Sequence, residues 1–185
     1  MFEAYLKLGF EHILDVNGLD HVLFLLALTI PFSLKDWKKV IILATAFTVG
    51  HSITLALSAL NIIRVNSEMI EILIAVSIFV TALLQILKRE GDKNLSKEYS
   101  LALFFGFIHG MGFSNFFKSI LGKDDITIPL LSFNIGVELA QILIVLGVIT
   151  INTIVFKLLS KRKYWVYLVG GAVCILSLQM IFERI

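Results

Sequence analysis

Apolar residues run through the chain in six long blocks, and charged residues collect between them. The blocks cover about 9–31, 39–60, 68–87, 99–121, 127–156 and 164–182. Each is near the ~20 residues that a helix needs to cross a hydrocarbon layer. None shows the sustained alternation of period two that a barrel strand would carry. The pattern predicts an all-α, polytopic transmembrane helical bundle of about six spans, read as a single integral membrane domain over residues 1–185. The fifth block is long enough to tilt or to project beyond the bilayer. Pro31 and Pro129 fall at block ends, where proline does little harm. Asn66-Ser67 and Ser96 read as N-cap signals for the third and fourth helices.

Composition narrows the class further. Hydrophobic residues make up 58% of the chain and charged residues 16%, against about 25% charged in a typical soluble domain. Mean hydropathy is +0.91. A soluble domain, a disordered chain and a nucleic-acid binder are excluded, and the lipid bilayer is the partner this composition requires. The single cysteine, Cys174, cannot form an internal disulfide. No cleavable signal is evident, because the first block carries His12, Asp15, Asp20 and His21. No phosphate-binding or dinucleotide glycine motif is present, and nothing in the sequence speaks to oligomeric state.

The placement of basic residues predicts orientation. Eleven of the sixteen lie in alternate loops: Lys35, Lys38 and Lys39; Lys88, Arg89, Lys93 and Lys97; Lys157, Lys161, Arg162 and Lys163. Lys7, Arg64, Lys118, Lys123 and Arg184 fall on the other side. This expectation puts both termini outside the cytoplasm and, in a bacterium, the chain in the inner membrane.

The polar residues inside the blocks then carry the chemistry, since an ionisable group in a bilayer costs at least a few kcal/mol. All four histidines lie in these blocks or at their outer ends: His12 and His21 in the first, His51 in the second and His109 in the fourth. Glu11, Asp15, Asp20, Glu71 and Glu138 join them, and no lysine or arginine sits deep in a block to pair with these acids. Counting back to the basic clusters gives a depth. His21 is 14 residues from Lys35, His51 is 12 from Lys39 and His109 is 12 from Lys97, or roughly 18–21 Å of helix rise. Glu71, Glu138 and Gln141 fall in the same slab, biased toward the outer leaflet.

Imidazole and carboxylate suit nickel, cobalt, zinc or ferrous ions better than cuprous ion, which prefers sulfur. Asp20 and His21 diverge by about 100° around a helix, so one can ligate while the other orients. His12 precedes His21 by nine residues, half a circle away on an unbroken helix. An interruption at Asn17-Gly18 would bring both to one cavity; otherwise His12 is an entrance-level ligand beside Glu11 and Glu71. Phe47-x3-His51 is echoed by Phe105-x3-His109, and Gly106, Gly110 and Gly112 read as close helix packing. Trp37, Trp165 and Tyr164 read as interface anchors. On these residues the leading expectation is a permease with a divalent transition metal ion as substrate, and catalysis is the lesser expectation. The rival is an intramembrane zinc-dependent hydrolase with Glu138 or Asp20 as base. A non-transporting accessory or metal-sensing scaffold is the third reading.

Four ordered motifs also carry a resemblance. Gly9-Phe10-Glu11-His12-Ile13-Leu14 with Gly18-Leu19-Asp20-His21-Val22-Leu23-Phe24-Leu25 resembles the opening signature of the HupE/UreJ family. Ala46–Leu55 around His51, Phe105–Phe113 around His109, and Phe133-Asn134-Ile135-Gly136-Val137-Glu138-Leu139-Ala140-Gln141 look like its later motifs. The resemblance implies a small membrane protein tied to hydrogenase or urease maturation and regarded as a nickel or cobalt permease. The polar slab and this resemblance together give His12, Asp20, His21, His51, His109 and Glu138 as the expected metal residues, with Glu11, Glu71, Asn134 and Gln141 as secondary or entrance residues.

Overall fold

A computed structural model describes residues 1–15, 19–63, 66–88, 95–121, 126–159 and 161–185. Among these the chain is helical, with no strand. The α-helices are α1 (Phe2–Leu14), α2 (Asp20–Thr29), α3 (Trp37–Ala59), α4 (Ser67–Leu87), α5 (Leu95–Leu121), α6 (Thr127–Leu158) and α7 (Arg162–Glu183), with a 3-10 turn at Leu34–Asp36 leading into α3. Five segments are long and apolar enough to cross a membrane: Leu34–Ala59, α4, α5, α6 and α7. The 32 residues of α6 rise about 48 Å, well past the ~30 Å of hydrocarbon.

The first apolar block differs from a single span. It is two helices, α1 and α2, parted after Leu14 where Asp15 leaves helical geometry (φ −62°, ψ 116°). Asn17-Gly18, where an interruption was expected, lies outside the described residues, as do Arg64, Arg89, Lys93 and Lys123. Aspartate and asparagine compete for backbone hydrogen bonds and glycine adds backbone entropy, so this is where a helix through the block is weakest. The ten residues of α2 rise only about 15 Å, roughly half the hydrocarbon. Asn66 does cap α4, its Oδ1 accepting from the Met69 backbone at 3.2 Å. Ser96 does not cap α5: that helix already includes Leu95.

Close backbone approach fixes how the helices meet. A Cβ at Gly50 would strike the Leu103 carbonyl, and one at Gly106 the Phe47 carbonyl. These glycines therefore seat α3 against α5 in parallel, which sets the Phe47…His51 and Phe105…His109 pairs side by side. The same device joins α1 antiparallel to α6, with Gly9 on the Phe133 carbonyl and Gly136 on that of Leu6. Antiparallel α4 and α5 touch at polar points that include Asn115 Nδ2 donating to Ser67 Oγ at 2.8 Å, Ser77 with His109 and the Lys88–Glu98 ion pair just past α4.

The end of α2 is tied down by a buried amide. Asn152 Nδ2 on α6 donates to the carbonyls of Thr29, Ile30 and Phe32 at 3.0–3.1 Å. Trp165 Nε1 donates in turn to Asn152 Oδ1 at 2.9 Å. Carbonyls freed at a helix end must find donors when no water reaches them, and Asn152 supplies them. With that end held, the other end of α2 presents Asp20 and His21 to the interior, where Phe24, Phe47, Phe117 and Phe133 are fully buried.

Candidate metal centre

Four helices bring one histidine each to a common point. His12 sits in the last turn of α1, His21 is the second residue of α2, and His51 and His109 lie mid-helix in α3 and α5. The break after Leu14 turns His12 back onto His21, and their ring centroids are 4.7 Å apart. His21 lies 5.9 Å from His51 and 5.1 Å from His109. One nitrogen from each of His12, His21 and His51 falls within 4.8 Å of the others. His51 is fully buried, His109 and His21 nearly so, and His12 half-buried.

The decisive feature is the hydrogen-bond accounting. Buried polar atoms in folded proteins nearly always have partners, so each exception needs a cause. Here His12 Nε2, His21 Nε2 and both nitrogens of His51 have none. Three imidazoles aimed at one another without donors or acceptors between them suit a shared cation. Nitrogen ligands stand about 2.0–2.1 Å from such an ion, so three of them around it are about 3.3–3.6 Å apart, and a triangle of 4.8 Å closes to that size when each ring moves inward by up to about 0.7 Å.

His109 is placed differently. Its Nε2 lies 3.1 Å from Ser77 Oγ on α4, which fixes the ring beside His21 as an outer layer. Phe113 covers His12 at 3.9 Å between centroids, and Phe47 stands 5.0 Å from His109 and 5.9 Å from His21. These rings make the walls of the pocket apolar, which strengthens electrostatic interactions inside it.

The acids expected at the site stand outside the histidine triangle. Asp20 is paired, contrary to the reading that acids inside the membrane lack basic partners. Arg184 Nη2, just past α7, donates to both Asp20 oxygens at 3.2 Å. Its Nη1 donates to the Glu71 carbonyl at 2.8 Å. The sequence count placed Arg184 among the outer basic residues, but its tip folds inward. The Glu71 side chain is exposed, and Glu11 is exposed beside Lys7 at 3.6 Å.

Glu138, Asn134 and Gln141 line α6 where it meets α3. Thr45 Oγ1 donates to Glu138 Oε1 at 2.6 Å, Thr48 Oγ1 to Gln141 Oε1 at 3.0 Å, and Asn134 Nδ2 to the Leu130 carbonyl at 2.8 Å. Thr45, Thr48, Ser52, Asn134 and Glu138 lie along an open groove of about 310 Å³ whose accessible surface is mostly apolar, supplied by Val49, Ile53, Leu131 and Ile135. Sequence reasoning missed Ser77, Thr45 and the pairing of Arg184, whereas Thr48 reads from the sequence as an interhelical hydrogen-bonding group and does bond Gln141. Phe113 was present in a quoted motif, but nothing in the pattern marked it as the cover of His12.

The fold and pocket define a helical, multi-pass membrane protein with a buried cluster of histidines that could hold a metal ion. Comparison with known families agrees: the pattern described as HupE / UreJ protein matches residues 1–184, and the chain belongs to that family. The family suggests a metal-transport or accessory membrane protein. No curated protein and no solved structure matches the chain.

Proposed function

We propose that the protein is a permease for a divalent transition-metal ion of the nickel, cobalt or zinc type, with His12, His21 and His51 as the residues that hold the ion. The observation that carries this reading is the buried triangle of unpartnered imidazole nitrogens. Three imidazoles bring no negative charge to a dication, which favours borderline metals and keeps the ion exchangeable. In this reading the chain lies in the inner membrane with both ends outside the cytoplasm. The ion enters past Glu11 and Glu71, meets His12 first, and His109 orients the pocket from behind. Glu138, Asn134 and Gln141 serve the onward path along the α3–α6 groove. A membrane potential contributes about 2.3 kcal/mol per charge per 100 mV toward inward movement.

The hydrolase alternative needs a carboxylate free to activate a metal-bound water. Asp20 is engaged by Arg184, and Glu138, whose Oε2 has no partner, stands outside the group of His12, His21 and His51, which favours carriage over catalysis. The test is uptake of nickel, cobalt and zinc into proteoliposomes by the wild type, His21→Ala and empty vesicles. Uptake by the wild type that His21→Ala abolishes is the expected result. Equal uptake in all three would overturn the reading.

A further inference from the structure

The Asp20–Arg184 pair sits directly beside the histidine pocket. Asp20 is the first residue of α2 and His21 the second, so the carboxylate and a pocket nitrogen spring from adjacent backbone positions. Arg184 takes both carboxylate oxygens with Nη2 and spends Nη1 on the Glu71 carbonyl. It thereby ties the end of α7 to the first turns of α2 and α4. Both side chains are largely buried, at 22% and 17% exposure. Removing either partner therefore leaves a charge in poor solvent.

A fork of fixed positive charge on the carboxylate that adjoins His21 has a chemical consequence. With Asp20 held, the pocket offers nitrogen alone. With Asp20 released, it would offer nitrogen and a hard, anionic oxygen, a donor set that harder cations such as manganese also accept. We propose that Arg184 is the specificity-determining residue of this pocket: it occupies the Asp20 carboxylate as an internal cation and thereby keeps the site nitrogen-only. This deepens the permease reading above and rests on it. Arg184 touches no cargo in this account; it acts through Asp20.

The experiment is equilibrium binding of nickel and manganese to the purified full chain, with the thermal shift each metal produces. Arg184→Gln keeps hydrogen-bond donors for the Glu71 carbonyl but removes the charge. It should bind nickel about tenfold tighter, since close charge pairs couple by at least about that factor, and it should acquire manganese binding that the wild type lacks. Asp20→Asn leaves Arg184 unpaired at the pocket edge and should bind nickel about tenfold more weakly. The double variant, with a neutral pair, should return to within a few-fold of the wild type. A merely structural role for the pair predicts weaker binding in both single variants. Arg184→Gln that binds nickel no tighter and takes no manganese overturns the proposal, whatever the wild type does. Should Arg184→Gln not purify, Asp20→Asn decides: nickel affinity equal to the wild type overturns the proposal, and a tenfold loss that the double variant restores supports it. Wild-type nickel binding without this ordering leaves the permease reading standing, whereas nickel binding by none of the proteins removes both.

Discussion

Helix α3 carries polar residues on two faces, and the two faces behave differently. One presents His51 to His12 and His21, where the nitrogens find no hydrogen-bond partner. The other presents Thr45, Thr48 and Ser52 to the α6 groove, where every hydroxyl is used. Thr45 bonds Glu138, Thr48 bonds Gln141 and Ser52 bonds the Thr48 carbonyl. Both faces would score alike on a count of polar residues in a membrane helix. Accounting for donors and acceptors separates them by kind: the α3 hydroxyls of the groove are all used, although Asn134 Oδ1, Glu138 Oε2 and Gln141 Nε2 on its α6 side have no partner, whereas in the pocket the orphaned atoms are imidazole nitrogens that converge on one point.

That contrast can be broken most sharply at His51. His51→Ala should weaken nickel binding by at least about 100-fold, because even an outer-shell partner of a ligand is worth about 10–100-fold. Titration calorimetry on the purified protein measures this. Retention of wild-type affinity would mean that the triangle is a packing arrangement and that the two faces do not differ in kind.

The next largest effect acts through the backbone. Gly106→Ala puts a methyl group into the Phe47 carbonyl and toward the His51 amide, and these groups belong to helix backbone that cannot step aside locally. The cost should be at least the ~1–3 kcal/mol typical of overpacking, read as a lower unfolding temperature in detergent. Since α3 carries His51 and α5 carries His109, metal affinity should fall in the same variant. The Thr45–Glu138 and Thr48–Gln141 bonds join α3 to α6 and should persist. An affinity loss without a stability loss would show that the two helices approach less closely than described.

A third variant distinguishes the layers of the pocket. His109 leans on Ser77 and borders His21, but it lies outside the 4.8 Å triangle. His109→Ala should therefore weaken binding by about 10-fold, as an orienting neighbour does, clearly less than His51→Ala. Equal losses in the two would promote His109 to a fourth ligand.

How much of this was legible beforehand follows from what each signal depends on. Spans are written in runs of apolar residues, so α3 to α7 fall close to the expected blocks. The common depth of His21, His51 and His109 is a count along the chain, and their rings do meet at His21, with His12 joining them through the break in the first block. Rotational register is not a count: that His51 turns toward α1 and α2 while Thr45 turns toward α6 depends on the crossing of three helices. Asp20–Arg184 was invisible for a simpler reason, as its partners are 164 residues apart, and a charge at the end of the last block reads as an outer-face residue. The short α2 was half legible. Asn17-Gly18 offered an interruption that would bring His12 and His21 to one cavity, with an entrance-level His12 as the alternative, and the fold decides for the shared cavity.

The smallest predicted effect tests the groove itself. Glu138 stands one helical face away from the pocket, its Oε1 accepting from Thr45 at 2.6 Å and its Oε2 without a partner. Thr45 and His51 are six residues apart on α3, about 9 Å along the axis and well round the helix. Glu138→Gln keeps a carbonyl oxygen for Thr45 and removes the charge. Stability should change by no more than the ~1 kcal/mol of one hydrogen bond, and nickel affinity at equilibrium should stay within about threefold, as for sites that share no partner. The uptake rate should fall nonetheless, because the onward path has lost its carboxylate. If affinity instead drops as far as it does in His51→Ala, Glu138 is reaching the same ion, and pocket and groove are two walls of one site.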